Sequence, residues 1–428
     1  MKSWSMPEIP LVPGTGPVPM LHDTATGELR SASSHGVASL YVCGITPYDA
    51  THIGHAATYL AFDTLVRAWL DAGVGVEYVQ NTTDVDDPLL ERATATGVDW
   101  RELAASQTDL FRSDMTALGI RPPDHYVAVT DVITEISNAV ETLVSHGTAY
   151  EVATDDSVDG NNDLYFDSAR AAETGPWHLG LESGLDRDTM LALSRQRGGD
   201  PGRPGKRDPL DPLLWRAARV GEPAWESRVG RGRPGWHIEC SVIAINRLAS
   251  PITVQAGGSD LIFPHHEFSA GHASSITGEP FADIYAHAGM VAYQGEKMSK
   301  SLGNLVLVSQ LTARGVDPRS IRLALLDHHY RTDWEWTADT LVSATARLER
   351  WTAWAAASTG STEVDAAAPA TAGSDAPDPV VDALRTAVAD DLDTPAALAV
   401  VDAAIAAACP ATAAAVTAID ALLGIRLR

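Results

Sequence analysis

Ser39-Leu-Tyr-Val-Cys43-Gly-Ile-Thr-Pro-Tyr-Asp-Ala-Thr-His52-Ile-Gly-His55-Ala-Ala-Thr58 is the stretch on which the fold turns. Ser39 to Cys43 reads as a short buried strand and Gly44 to His52 as a loop. Tyr59, Phe62, Val66, Trp69 and Leu70 then recur at helical spacing, with Gly73 placed to end the helix. A second apolar run, Val76 to Gln80, follows. Strand, loop, helix, strand is one βαβ unit with a parallel pair, and such sheets bind ligands beyond the carboxyl ends of their strands. Cys43-Gly44-Ile45-Thr46 and Asn81-Thr82-Thr83-Asp84 hold those positions.

Outward from that unit, residues 1–38 read as an extended lead-in with turns, and helices are predicted near 99–118 and 131–146. A small hairpin around an acidic loop is expected over 148–166. The Gly- and Pro-rich run 195–212 excludes regular structure. A second α/β stretch begins at 233, with a strand at 252–256, a Gly257-Gly258-Ser259-Asp260 turn, a helix from about 264 and a strand at 285–291. Asp317-Pro318 caps and starts a further helix, and 336–356 is helical. Residues 357–380 have linker composition, and 381–424 form an Ala-rich helical tail.

The chain has 428 residues and a formal net charge of -25, which argues against a general nucleic-acid-binding surface. Its three cysteines, Cys43, Cys240 and Cys409, are odd in number and widely spaced, so a disulfide framework is not expected and a reducing compartment fits. The first twenty residues lack an apolar signal core, and the most apolar stretch, 403–419, is broken by Pro410. A cytoplasmic protein is expected. Only four basic residues are lysines (Lys2, Lys206, Lys297 and Lys300), yet two of them fall within four positions. A compact ammonium on a flexible stem does what a guanidinium fork does not, so that pair is a functional candidate.

Three constellations carry chemistry. His52-Ile53-Gly54-His55 opens the first helix, where unpaired backbone N–H groups and a partial positive charge favour phosphate; two ordinary histidines are the plain alternative. Lys297-Met298-Ser299-Lys300-Ser301 offers two ammonium groups and two hydroxyls to a leaving pyrophosphate, or is a solvated charged turn. Cys43, Cys240 and His265 supply two thiols and an imidazole suited to Zn²⁺ with an open fourth position; buried cysteines acting as small apolar residues are the alternative.

In this order the first two motifs resemble the class I aminoacyl-tRNA synthetase catalytic domain. The wording around them, including Gly232-Arg-Pro-Gly-Trp-His-Ile-Glu-Cys-Ser241 and Gly257-Gly-Ser-Asp-Leu-Ile-Phe-Pro-His-His-Glu267, resembles cysteinyl-tRNA synthetase over about residues 35–345. Ile45 and Pro47 depart from that family, as do Thr58, where those enzymes have Arg, and Ser269, where they carry Glu. From 351 to 428 there are three basic and ten acidic residues, so no basic anticodon-binding domain is left. These departures, with Ala56-Ala57-Thr58-Tyr59 and Arg197-Gly198-Gly199-Asp200-Pro201, resemble a sister family, the mycothiol-pathway ligases, which join L-cysteine to the amine of glucosaminyl-inositol.

The resemblance implies a doubly wound Rossmann-type parallel sheet, an α/β fold with an inserted region and a C-terminal helical bundle. The expected segments are 1–130 and 233–310 for the two catalytic halves, 131–232 for the insertion, 311–356 for a helical region, 357–380 for a linker and 381–428 for the tail. It implies ATP as substrate with Mg²⁺, one Zn²⁺ on Cys43, Cys240 and His265, and a monomer acting on small molecules without nucleic acid or membrane. His52, His55, Lys297 and Lys300 are the implied catalytic residues. Cys43, Gly44, Ile45, Thr46, Thr58, Asn81, Thr82, Thr83, Trp236, Gly258, Ser259, Asp260 and Val291 are the implied lining of a cysteinyl-adenylate pocket. Serine's hydroxyl is a poorer zinc ligand, so such a metal selects cysteine without editing. Asp260 and the Asp84, Asp86, Asp87 cluster are candidates to take the acceptor amine's proton. A cysteinyl-tRNA synthetase with a reduced tail and a non-catalytic zinc-binding paralogue are the competing readings.

Overall fold

Five short apolar runs assemble into one parallel sheet: β1 (Val37–Val42), β2 (Gly75–Thr82), β3 (His125–Ala128), β4 (Ile252–Gly258) and β5 (Ala282–Ala288). Their order across the sheet is β3-β2-β1-β4-β5, every neighbouring pair parallel. This is a doubly wound topology whose direction of growth reverses between β1 and β4. The computed structural model describes residues 1–33, 36–48, 51–298, 304–357 and 378–428. Ser299, Lys300 and Ser301, the Lys297 side chain and most of the expected 357–380 linker lie outside the described residues.

Successive strand residues face opposite ways, and β1 divides accordingly. Leu40 and Val42 enter a core closed by α1 (Ile53–Asp71) and α2 (Trp100–Ala117), through Phe62, Trp69, Phe111 and Met115. Tyr41 and Cys43 enter a second core under α3 (Ile133–His146), α4 (Trp236–Ile245) and α5 (Glu267–Thr277), through Val140, Ile238 and Phe268. Each such side chain, fully buried, contributes roughly 1.5–3 kcal/mol. The helix expected after His52 starts with that imidazole as its cap, Nδ1 accepting from the Gly54 amide at 3.1 Å.

The hairpin expected over 148–166 is present and belongs to a four-stranded antiparallel sheet of Ala149–Val152, Asp163–Phe166, Leu213–Ala217 and Gly232–Pro234. Residues 197–212 have neither helix nor strand. The helix Arg187–Gln196, capped by Asp186, takes the first two residues of the run expected to be irregular. The lead-in is more ordered than its sequence suggests: Met20–Asp23 and Glu28–Ser31 pair antiparallel, and the Asp23 carboxylate accepts from the Tyr285 amide at 2.9 Å. The strand expected at 285–291 is two. β5 stops at Ala288 because Gly289 donates to Tyr330 O at 2.7 Å and Met290 to Asp333 Oδ1 at 2.7 Å, and Val291–Tyr293 then pairs with Trp334–Trp336.

The C-terminal helices α6 (Pro318–Leu326), α7 (Ala338–Ala357), α8 (Pro379–Ala389), α9 (Thr394–Ala406) and α10 (Ala413–Leu423) pack on the α1 side. Asp317 caps α6 by accepting from the Arg319 amide. Among the described residues no helix is long and apolar enough to cross a membrane.

Candidate active site

The β1 and β4 carboxyl ends lie side by side at the point where the sheet order reverses, the place where open α/β sheets hold ligands. Cys43 N donates to Ala256 O at 3.0 Å, and Thr83 N to Ile45 O at 3.0 Å, so three loops converge there. Asn81 Oδ1 accepts from Gly44 N at 2.7 Å and from Tyr41 OH at 3.2 Å, while its amide donates to Thr83 Oγ1 at 3.1 Å. A Cβ on Gly44 would lie 1.6 Å from Asn81 O, so only glycine permits this approach.

Cys43 directly follows β1, Cys240 comes from α4, and His265 precedes α5. Their ligand atoms all lie within 4.8 Å of one another, and all three residues are buried. His265 Nε2 is 3.2 Å from Cys240 Sγ, and the Trp236 ring stacks on His265 at 4.2 Å. Burial acts to raise the Cys240 thiol, but the Cys43 hydrogen bond and the His265 imidazole bring it well below the ordinary thiol range. Burial and the Cys240 sulfur push Cys43 the other way. Burial and neighbouring imidazoles hold His237 and His266 in their neutral forms. Two thiols, one readily ionised, and the His265 imidazole form a donor set that fits Zn²⁺.

Sequence reasoning missed a set of imidazoles packed behind these groups. His237 Nδ1 is 3.0 Å from His265 Nδ1. His266 Nε2 is 3.2 Å from Cys43 Sγ, its Nδ1 bonds His287 Nε2 at 2.8 Å, and His287 Nδ1 bonds Thr24 Oγ1 at 2.7 Å. His237 and His266 stand inside the quoted motifs and were available as signals; Thr24 and His287 carry none. Ser269, at the position where the resembled synthetases carry glutamate, donates its hydroxyl to His237 O at 3.2 Å.

The remaining predicted pocket residues divide. A Cβ on Gly258 would sit 2.7 Å from Asp260 Oδ1 and 4.0 Å from Thr58 Oγ1, so Gly258, Asp260 and Thr58 share one wall, with Ser259 in the turn between them. Thr46 stands half-buried on the Gly44 loop. Thr82 is turned away, its hydroxyl donating to Tyr126 OH at 2.6 Å on the α1–α2 side. On the phosphate side, His52 and His55 stack at 3.9 Å at the start of α1, and a Cβ on Gly54 would reach Val291 Cβ at 4.0 Å. Lys297 pairs through its backbone with Ala292, Met298 is buried, and Ile53 N donates to Val306 O at 2.9 Å. Both described flanks of 299–303 therefore run beside the start of α1.

Residues 30–346 match the family described as the tRNA synthetases class I (C) catalytic domain. The chain is 64% identical over 430 residues to an L-cysteine:1D-myo-inositol 2-amino-2-deoxy-alpha-D-glucopyranoside ligase of Clavibacter michiganensis subsp. michiganensis, covering 100% of this chain and 99% of that protein. It is 56% identical over 437 residues to the ligase of the same name from Micrococcus luteus, covering 100% of both. In fold it is similar to Mycobacterium tuberculosis methionyl-tRNA synthetase in complex with methionyl-adenylate, with a TM-score of 0.60 at 17% identity over 92% of this chain and 89% of that one. The chain therefore belongs to the class I tRNA synthetase (C) catalytic-domain family and, within it, to the L-cysteine:1D-myo-inositol 2-amino-2-deoxy-alpha-D-glucopyranoside ligases.

Proposed function

We propose that this chain uses ATP to activate L-cysteine and then joins the cysteinyl group to the amine of glucosaminyl-inositol; the names of its relatives give the two joined partners, L-cysteine and the inositol-linked amino sugar. The convergence of Cys43, Cys240 and His265 within 4.8 Å at the switch point of the sheet carries this reading. In the first step the cysteine carboxylate attacks the α-phosphorus of ATP, forming the acyl phosphate bond as the bond to pyrophosphate breaks. The backbone N–H groups at the start of α1, with His52 and His55, stabilise charge on the phosphates, and Lys297 and Lys300 neutralise the departing pyrophosphate. Mg²⁺ accompanies the nucleotide. Cys43, Cys240 and His265 would hold Zn²⁺, which when bound favours the thiolate of cysteine over the hydroxyl of serine.

In the second step the neutral amine attacks the cysteinyl carbonyl, the amide forms, and AMP leaves. Asp260, on the same wall as Gly258 and Thr58, is the carboxylate we assign to take the amine's proton. The Asp84, Asp86, Asp87 cluster fits that task less well. Asp84 is bound to the Thr130 amide at 3.0 Å, Asp86 accepts from the Asp87 amide at 2.8 Å, and the Asp87 carboxylate pairs with Arg233. We take the enzyme to be a cytoplasmic monomer confined to small-molecule substrates.

Incubation with L-cysteine, ATP and Mg²⁺ plus either glucosaminyl-inositol or tRNA tests the assignment. Amide formation on the amino sugar with stoichiometric AMP is expected. Cysteine on tRNA with none on the sugar would overturn it.

A further inference from the structure

The Arg197-Gly198-Gly199-Asp200-Pro201 run has a structural use that the mechanism above does not absorb. Arg197 follows the last turn of the helix Arg187–Gln196, its amide donating to Leu193 O at 3.0 Å. Gly198 then adopts φ 82°, in the left-handed region that favours glycine. Gly199 folds back so closely, N to Ser194 O at 2.8 Å, that a Cβ would lie 2.2 Å from Ser194 Oγ. Two glycines thus reverse the chain at this point. The Arg197 side chain meets the turn before α5: its Nη1 donates to Asp260 O at 2.5 Å and also to Phe263 O.

The segment Ser259–His266 is a 3₁₀ turn running into a π turn, and it carries both Asp260 and His265. Irregular backbone of this kind leaves carbonyls that need partners from elsewhere. On its other side the loop bearing Arg197 is pinned to the antiparallel sheet. The Asp200 carboxylate accepts from Lys206 Nζ at 2.8 Å and from Tyr165 OH, and Arg203 donates to Thr154 Oγ1 at 2.6 Å. Arg197 is therefore a brace between the inserted region and the turn that forms one wall of the cysteine pocket.

We infer that Arg197 is a positioning residue for the cysteine half of the site, holding the Asp260–His265 turn through the Asp260 and Phe263 carbonyls. This rests on the reading of cysteine activation given above. Arg197 touches no phosphate-side residue among its described contacts, so its loss acts on cysteine and spares ATP. Both bonds leave a single nitrogen, so a lysine ammonium, which has three donors, can replace the guanidinium in kind.

The test is cysteine-dependent ATP–pyrophosphate exchange by zinc-loaded wild type, Arg197→Ala and Arg197→Lys. Arg197→Ala is expected to lower kcat/KM for cysteine by about 10- to 100-fold, as misplacement of a positioning group does, with the KM for ATP held within about twofold; Arg197→Lys should recover most of the loss. If Arg197→Ala does not give a wild-type circular dichroism spectrum, Arg197→Met, which keeps the stem and removes the donors, takes its place with the same expectation. A truncation variant with wild-type cysteine kinetics, equal losses toward ATP and cysteine, or a folded Arg197→Lys as impaired as the truncation would each overturn the inference. Wild-type protein without cysteine-dependent exchange would overturn the underlying reading itself, and this inference with it.

Discussion

Two buried polar clusters lie on opposite sides of the sheet, and they are built on opposite principles. On the α1 side, Asp63 is enclosed by charge of the opposite sign. Its Oδ2 accepts from Arg67 Nε at 2.7 Å and from Arg322, and its Oδ1 from the Arg121 amide at 2.8 Å. The two guanidiniums then spend their other donors on carbonyls: Arg67 on Asp420, Ala421 and Gly119, Arg322 on Leu423, Leu118 and Gly119. Burial opposes ionisation of Asp63, but the guanidiniums and the amide outweigh it and hold the carboxyl below its usual range. On the other side, the ligand atoms of Cys43, Cys240 and His265 lie within 4.8 Å of one another, with the imidazoles of His237 and His266, held neutral, beside them. A satisfied ion cluster fixes one tertiary arrangement, here the docking of α10 on α1. The three electron-pair donors gathered in one buried place are the feature that the proposed zinc site draws on.

The sharpest way to separate the two clusters is to break each in turn. Cys240→Ala is expected to lose zinc and cysteine activation together, with exchange falling well over 100-fold, since even residues one shell further out from a metal are worth about 10- to 100-fold. Metal analysis and exchange on the same sample check this, and undiminished exchange by metal-free variant protein would remove the role assigned to Cys240. Asp63→Asn strands two buried guanidiniums and should cost about 3–5 kcal/mol in denaturant unfolding, with exchange KM values of the folded fraction unchanged. A shift in cysteine KM there would erase the distinction between the clusters.

The same carboxylate gives the comparison a pH axis. Because the folded carboxyl lies below the ordinary range, its contribution is complete above the unfolded value of about 4 and is lost as pH falls through the lower folded value. Wild type should therefore lose stability on acidification more steeply than Asp63→Asn, and parallel curves would contradict this. Lys297→Ala tests the phosphate side alone: kcat for exchange should fall about 100-fold while the cysteine KM stays put. The smallest effect is expected at the far end of the imidazole chain. Thr24→Val removes the bond to His287, worth about 1 kcal/mol, and should lower kcat/KM for cysteine less than about tenfold; a larger loss would make the chain part of the site rather than its support.

Much of the fold was legible because the βαβ unit is local: strand, loop and helix lie within Ser39–Gly73, and glycine marks the helix end. The adjacency of β1 and β4, about two hundred residues apart in the chain, followed only from family resemblance, since no local pattern encodes sheet order. Thr82 shows a rule left unapplied, because neighbouring strand residues such as Asn81 and Thr82 face opposite ways. Gly424 reads as an ordinary helix-stop glycine, yet a Cβ there would lie 2.4 Å from the Arg322 guanidinium carbon, so it also makes room for the ion cluster. Thr24 and His287 were invisible because each has its meaning only through the other.

The most direct test follows cysteine-dependent ATP–pyrophosphate exchange on one preparation as a chelator strips its metal and zinc is returned stepwise. Exchange should rise in proportion to zinc up to one ion per chain, with serine inert throughout. Full exchange by metal-free protein, or exchange with serine at the cysteine rate, would contradict a thiol-selecting centre at the rim of this sheet.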